Sequence, residues 1–172
     1  MKDIMNLTKK VALGVAVGFF SNFAFAQTLQ EGVANADSHK YAKAKTVFNE
    51  MIAKSPTAEN YFYLGNSYLT QFEPNFELAQ ENFNKGLAAD KKSYLNKIGL
   101  ASVKLGKGDK SAIAEIQNIV KDSRDKDPEV LYRTAEALTI FGGAANADLA
   151  IDLLNRTIEK SQKGGTPAYY YY

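Results

Sequence analysis

Cysteine and tryptophan are absent from the 172 residues, histidine occurs once and proline four times. The missing thiol excludes a disulfide scaffold, a thiolate zinc site, a cysteine nucleophile and dithiol redox chemistry. With a single imidazole, a Ser-His-Asp triad or a facial metal site would have to be built on His39. Its neighbours Asp37, Ser38 and Lys40 have no ligand spacing, so His39 is expected as a solvated turn residue. Charge of one sign is also lacking. The 21 Lys and Arg against 19 Asp and Glu leave a net +2, too small a surplus to argue for a nucleic-acid partner. Hydrophobic residues at 45% and charged residues at 23% are ordinary globular usage, which argues against wholesale disorder and against a multi-span membrane protein. These absences lean away from an enzyme, and no metal or cofactor is expected.

Two loops look chemical at first sight. Asp122, Asp125 and Asp127 alternate with Arg124 and Lys126, but the central Gly and closing Glu of a calcium loop are not in place. Gly106-Lys107-Gly108-Asp109-Lys110-Ser111 lacks the spacing of a phosphate loop and any preceding strand, and it is expected to be a turn capped by Asp109. No Gly-x-Ser-x-Gly elbow occurs.

The amino-terminal residues carry a distinct pattern. Lys2, Lys9 and Lys10 precede an apolar run from Val11 to Phe20, and Ala24 and Ala26 stand in the small-x-small arrangement that signal peptidase reads. The run is shorter than the roughly 20 apolar residues of a membrane span. Residues 1–26 are therefore expected to be a cleaved export signal, with cleavage between Ala26 and Gln27, a periplasmic home and no stable membrane insertion afterwards. Without that segment the chain holds 18 basic and 18 acidic residues, so the surplus charge belongs to the signal.

Beyond residue 27 the apolar residues recur at helical spacing, with no strand-like alternation. Tyr41, Ala44, Phe48, Met51 and Ile52 form one stripe, and Phe76, Ala79, Phe83 and Leu87 a second. Ile113, Ile116, Ile119 and Val120 form a third, and Ala150, Leu153, Leu154, Thr157 and Ile158 a fourth. Ser55-Pro56, Asp127-Pro128 and Thr166-Pro167 each set a capping residue before a proline at the first helical position. Pro74 falls in a loop. The pattern predicts eight helices of about 10 to 15 residues starting near 28, 40, 57, 76, 92, 109, 128 and 147, with a ninth opening at Pro167. Small residues recur within them: Gly32, Gly65, Gly99 and Ala135 in the first members of successive pairs, and Ala44, Ala79, Ala112 and Ala150 in the second. Such residues let paired helices approach closely, while Phe48, Tyr68 and Phe83 fill the space between.

In this arrangement the sequence resembles the tetratricopeptide repeat family. Leu64-Gly65-Asn66-Ser67-Tyr68 reproduces the signature of the first helix, and Tyr41, Ala44, Phe48 and Pro56 that of the second helix and its exit. The second repeat carries a two-residue insertion around Pro74, Lys91 stands where its exit proline would be, and Gly142 to Asn146 lengthen the fourth turn. The resemblance implies an all-α, right-handed superhelical solenoid of antiparallel helix pairs over residues 27–172, about four repeats and the start of a fifth. It further implies a groove lined by the first helices, with Phe62, Asn66, Thr70, Asn96, Leu100, Lys104, Tyr132 and Glu136 facing it. The function so implied is an exported, non-catalytic scaffold that binds a peptide or partner helix. The alternative is the docking arm of a larger envelope enzyme whose catalytic domain lies beyond Tyr172. Four consecutive tyrosines make a poor polar cap, so the array is expected to continue past Tyr172, and homo-association through the exposed last repeat is a third expectation.

Overall fold

A computed structural model of the chain describes residues 28–124 and 126–161. The expected signal segment, Asp125 and the Thr166-Pro167 helix start lie outside the described residues. Within them the chain is a succession of helices without a strand: α1 (28–37), α2 (Tyr41–Lys54), α3 (Ala58–Leu69), α4 (Phe76–Ala89), α5 (Tyr94–Gly106), α6 (Ala112–Asp122), α7 (Pro128–Ala137) and α8 (Ala147–Ser161). From α2 onward each helix packs on the next in sequence, and α3, α5 and α7 also pack side by side. This is the tetratricopeptide-like solenoid of antiparallel pairs implied by the repeats.

Side-chain caps set most of the starts. Thr57 accepts a hydrogen bond from the Asn60 amide, Asn75 from that of Leu78, Ser93 from that of Asn96, and Asp127 from that of Glu129. Each satisfies one of the orphan N–H groups of a first turn. Pro128 sits at the first position of α7, where its missing N–H costs nothing. Ser55-Pro56 behaves differently from its expected role as a helix start. Ser55 is the C-cap of α2, its N–H donating to the Met51 carbonyl, and the cap of α3 is Thr57, one residue after the proline. The helix expected near 109 begins at Ala112, because Asp109 Oδ1 accepts from both the N–H and the hydroxyl of Ser111 and closes a separate turn first.

The small residues do lie at close approaches. Phe83 is fully buried between α3 and α5, and a Cβ on Gly65 or Gly99 would come within 2.7 or 2.5 Å of its ring. Gly32 stands against Phe48 in the same way. Ala44, Ala79, Ala112 and Ala135 are wholly buried and Ala150 nearly so. Tyr68 is half-buried beneath the Lys45 ammonium, which stands 4.7 Å from its ring centre. Two apolar lobes result, one centred on Phe48, Phe62 and Phe83 and the other on Ile98, Ile116, Leu131 and Leu153. Leu95 and Phe141 pack against both. Phe141 reaches this position because α7 widens into a π-helical turn over Leu138–Gly142, which ends at Gly143 with φ 72° and is followed by a 3-10 turn over Ala144–Asn146. No helix among the described residues is long and apolar enough to cross a membrane.

Candidate functional site

α3 and α7 belong to different repeats, with α5 between them, yet their side chains meet. α5 contributes Ile98, Gly99 and Ser102 at this level, and Ser102 turns its hydroxyl back to the Ile98 carbonyl. Across that low point Asn66 donates through Nδ2 to Glu136 Oε2 at 3.2 Å, and the Tyr63 hydroxyl donates to Glu129 Oε1 at 3.0 Å. Arg133 ties the two carboxylates together. Its Nε donates to Glu129 Oε1 at 2.8 Å and its Nη1 to Glu136 Oε2 at 3.1 Å, while its guanidinium lies 4.8 Å from the Tyr132 ring centre and 5.6 Å from that of Tyr63. Only 4% of the Arg133 side chain is exposed. Burial works against its charge, but the Glu136 and Glu129 carboxylates outweigh that penalty and hold its pKa well above the ordinary value. Burial, followed by the nearby Glu136 charge, raises the pKa of the Tyr132 phenol.

Beside this network a cleft of about 730 Å³ opens between the end of α1, the end of α3 with its following turn, and α7. The α1 end is shaped by His39. At φ 56° it occupies the left-handed position after the helix, its N–H donating to the Ala36 carbonyl and that of Lys40 to the Asn35 carbonyl. The Tyr41 hydroxyl donates to the Thr70 carbonyl at 2.9 Å and lies 3.0 Å from His39 Nδ1. The single phenolic proton is spent on Thr70, so His39 Nδ1 is the donor of the second bond. This exposed histidine thus helps to fasten the α1–α2 turn to the end of α3.

Asp37, at the cleft edge, has its pKa raised above the ordinary 3.8, first by burial and then by the Glu136 and Glu129 charges, against the lowering effect of Arg133. A carboxyl raised in the folded state stabilises the fold while protonated and loses that contribution as pH rises through the raised value. Asp37→Asn should therefore raise the melting temperature at pH 7 by about 1–3 °C, a small gain because Asp37 keeps substantial contact with water. The gain should disappear below the ordinary carboxylate range, and paired melts at pH 7 and pH 3.5 check the sign.

Of the residues expected to face a groove, Asn66, Thr70, Tyr132 and Glu136 do line this cleft. Phe62 does not present a surface, being 1% exposed and packed against Tyr63 and Phe83. Asn96 is wholly buried, donating to the Ala58 carbonyl and to Ser93 Oγ, so it staples α5 to the start of α3. Leu100 and Lys104 line a different groove, on the side of α4 and α6. The cause is register. Gly65 and Ala135 are the eighth residues of α3 and α7, whereas the eighth of α5 is Ala101, two residues past Gly99. With the count corrected, Asn66, Ser102 and Glu136 are the ninth residues of their helices, and these meet at the network. Sequence spacing also missed Asp37, Arg133 and Ile140 in the cleft wall, and Phe72 at its lip. The Pro74 insertion was the available signal for the last of these.

No protein-family model matches the sequence. No curated protein matches it. Solved structures similar in shape include the following two. The one described as "Crystal structure of MamA protein" is 17% identical with a TM-score of 0.47, the match covering 81% of this chain and 74% of that one. The one described as "Crystal structure of MamA" is 17% identical with a TM-score of 0.48, the match covering 81% of this chain and 80% of that one.

Proposed function

We propose that the chain is an exported, non-catalytic protein-interaction scaffold that holds a peptide or partner helix in the cleft framed by α1, α3 and α7. The observation that carries this reading is the cleft itself. It is of the size at which pockets engulf a ligand of a few side chains, and its walls combine apolar groups with a few oriented polar ones. Its walls come from helices fixed by the core, so a partner would meet a surface that is already ordered. Export rests on the pattern of residues 1–26. A photo-crosslinking amino acid placed at Tyr132 or Ile140, in the cleft, and at Gln80 or Asn84, on the α4 side, tests the docking in extracts of the source cell. Discrete adducts should form from the first pair alone. Adducts of equal yield from both pairs, or from the second pair only, would contradict the assignment.

A further inference from the structure

We propose that the cleft receives a protein segment in which a Lys or Arg side chain lies next to a large apolar one, the cation between Asp37 and Glu136 and the apolar group between Phe72 and Ile140. This inference rests on the cleft being the docking site and adds the chemistry of its occupant.

Charge complementarity gives the first half. Asp37, Arg133 and Glu136 line one cleft, and Arg133 is already engaged with Glu136 and with Glu129 behind it. The Asp37 carboxylate takes part in no hydrogen bond or ion pair among the described residues. A cationic side chain brought between Asp37 and Glu136 would complete the balance that Arg133 leaves unfinished, whereas an anionic one would add to the repulsion. The sign is specific to this face. The groove between α4 and α6 carries Lys97, Lys104 and Lys107 with Glu115 alone opposing them in its lining.

The second half comes from Phe72. Phe72 is 98% exposed on the turn between α3 and α4, and Ile140, 49% exposed, lines the same cleft from the π-helical turn that follows α7. That turn is tied down at three points: Asn75 N–H donates to the Tyr68 carbonyl, Gln71 Nε2 donates to the Glu73 carbonyl, and Lys45 Nζ donates to Gln71 Oε1. An aromatic ring displayed to water on an ordered turn has little backbone entropy left to lose on binding. Buried aromatic anchors of this kind dominate interface energies.

The test titrates the full chain into three fluorescein-labelled short peptides, of alternating Arg and Leu, Glu and Leu, or Arg and Ser, and follows fluorescence anisotropy at about 50 and 300 mM salt. The Arg–Leu peptide should bind at least about tenfold more tightly than either other peptide. Phe72→Ala should weaken it about tenfold at both salt concentrations. Asp37→Asn should weaken it about threefold to fivefold and flatten the salt dependence. Both substitutions sit on exposed side chains, and an unchanged circular dichroism spectrum with a melting temperature no lower than that of the parent will show that the fold is kept. Preference for the Glu–Leu peptide, Arg–Leu binding indifferent to both substitutions, or binding of none of the three would overturn the proposal. If the cleft crosslinks persist in that event, docking stands and only the partner chemistry falls; if they too are lost, both fall. Sedimentation velocity covers a second copy as the occupant: a concentration-dependent dimer abolished by Phe72→Ala would assign the cleft to self-association and overturn the proposal.

Discussion

Phe83→Ala should lower the melting temperature of this chain by about 6–20 °C. The ring is fully buried, filling the space that Gly65 and Gly99 leave between α3 and α5, and it also lies 5.8 Å from the Phe62 ring centre. Truncating a buried phenylalanine forfeits its transfer free energy and leaves a cavity, together about 3–5 kcal/mol. Collapse around the void is restricted, because the two glycines have no side chains to move into it. Thermal unfolding measured by circular dichroism checks the prediction, and a shift of only a degree or two would contradict the packing role of the ring. Phe83→Leu should fall between the two, since it restores part of the volume and none of the planar shape that fits between the glycines.

Arg133→Met should be comparably severe for a different reason. The substitution keeps an apolar stem but leaves Glu129 and Glu136, with 14% and 21% of their side chains exposed, facing each other without a cation. Removing one partner of a buried ionic group costs about 3–5 kcal/mol, most of it the penalty of stranding the other charges. Arg133→Lys should recover only part of the loss, because an ammonium lacks the planar fork that reaches both carboxylates at once. Two further measurements separate stranded charge from lost packing. Adding Glu136→Gln to Arg133→Met should return stability, and the deficit of the single variant should narrow below about pH 4, where carboxylates take up protons. A deficit independent of pH and unrelieved by the second substitution would show that Arg133 acts through its bulk.

The helices were legible because their causes are local. A cap such as Asn75 or Asp127, a stripe such as Ile116, Ile119 and Val120, and a glycine opposite a phenylalanine all act within one helix pair, and the chain spells them in order. Ser55-Pro56 misled because two capping residues stand close together, and Thr57 satisfies the Asn60 amide while Ser55 is held by the end of α2. In α5 the attraction of Gly99 hid Ala101. Both positions pack tightly, but only Ala101 keeps the count after the insertion at Pro74. The Arg133 network was out of reach by spacing alone. It joins residues 66 and 70 positions apart, and whether they meet depends on how sharply three successive pairs curve. Phe72 was hidden for the opposite reason: an aromatic residue in sequence reads as core until its exposure is seen.

The bridge from α3 to α7 changes how the array should come apart. In a stack where each unit leans only on its neighbours, stability is a sum of nearest-neighbour terms, and the ends can fray while the middle stays folded. Here the Asn66–Glu136 and Tyr63–Glu129 bonds couple the second pair to the fourth over the third. Leu95 and Phe141 likewise belong to both apolar lobes. Opening the last pair therefore weakens the second one directly, so unfolding is shared across the repeats instead of advancing one by one. The same links lengthen the chain loops that must close before the native contacts form, which slows folding relative to a purely local helical stack.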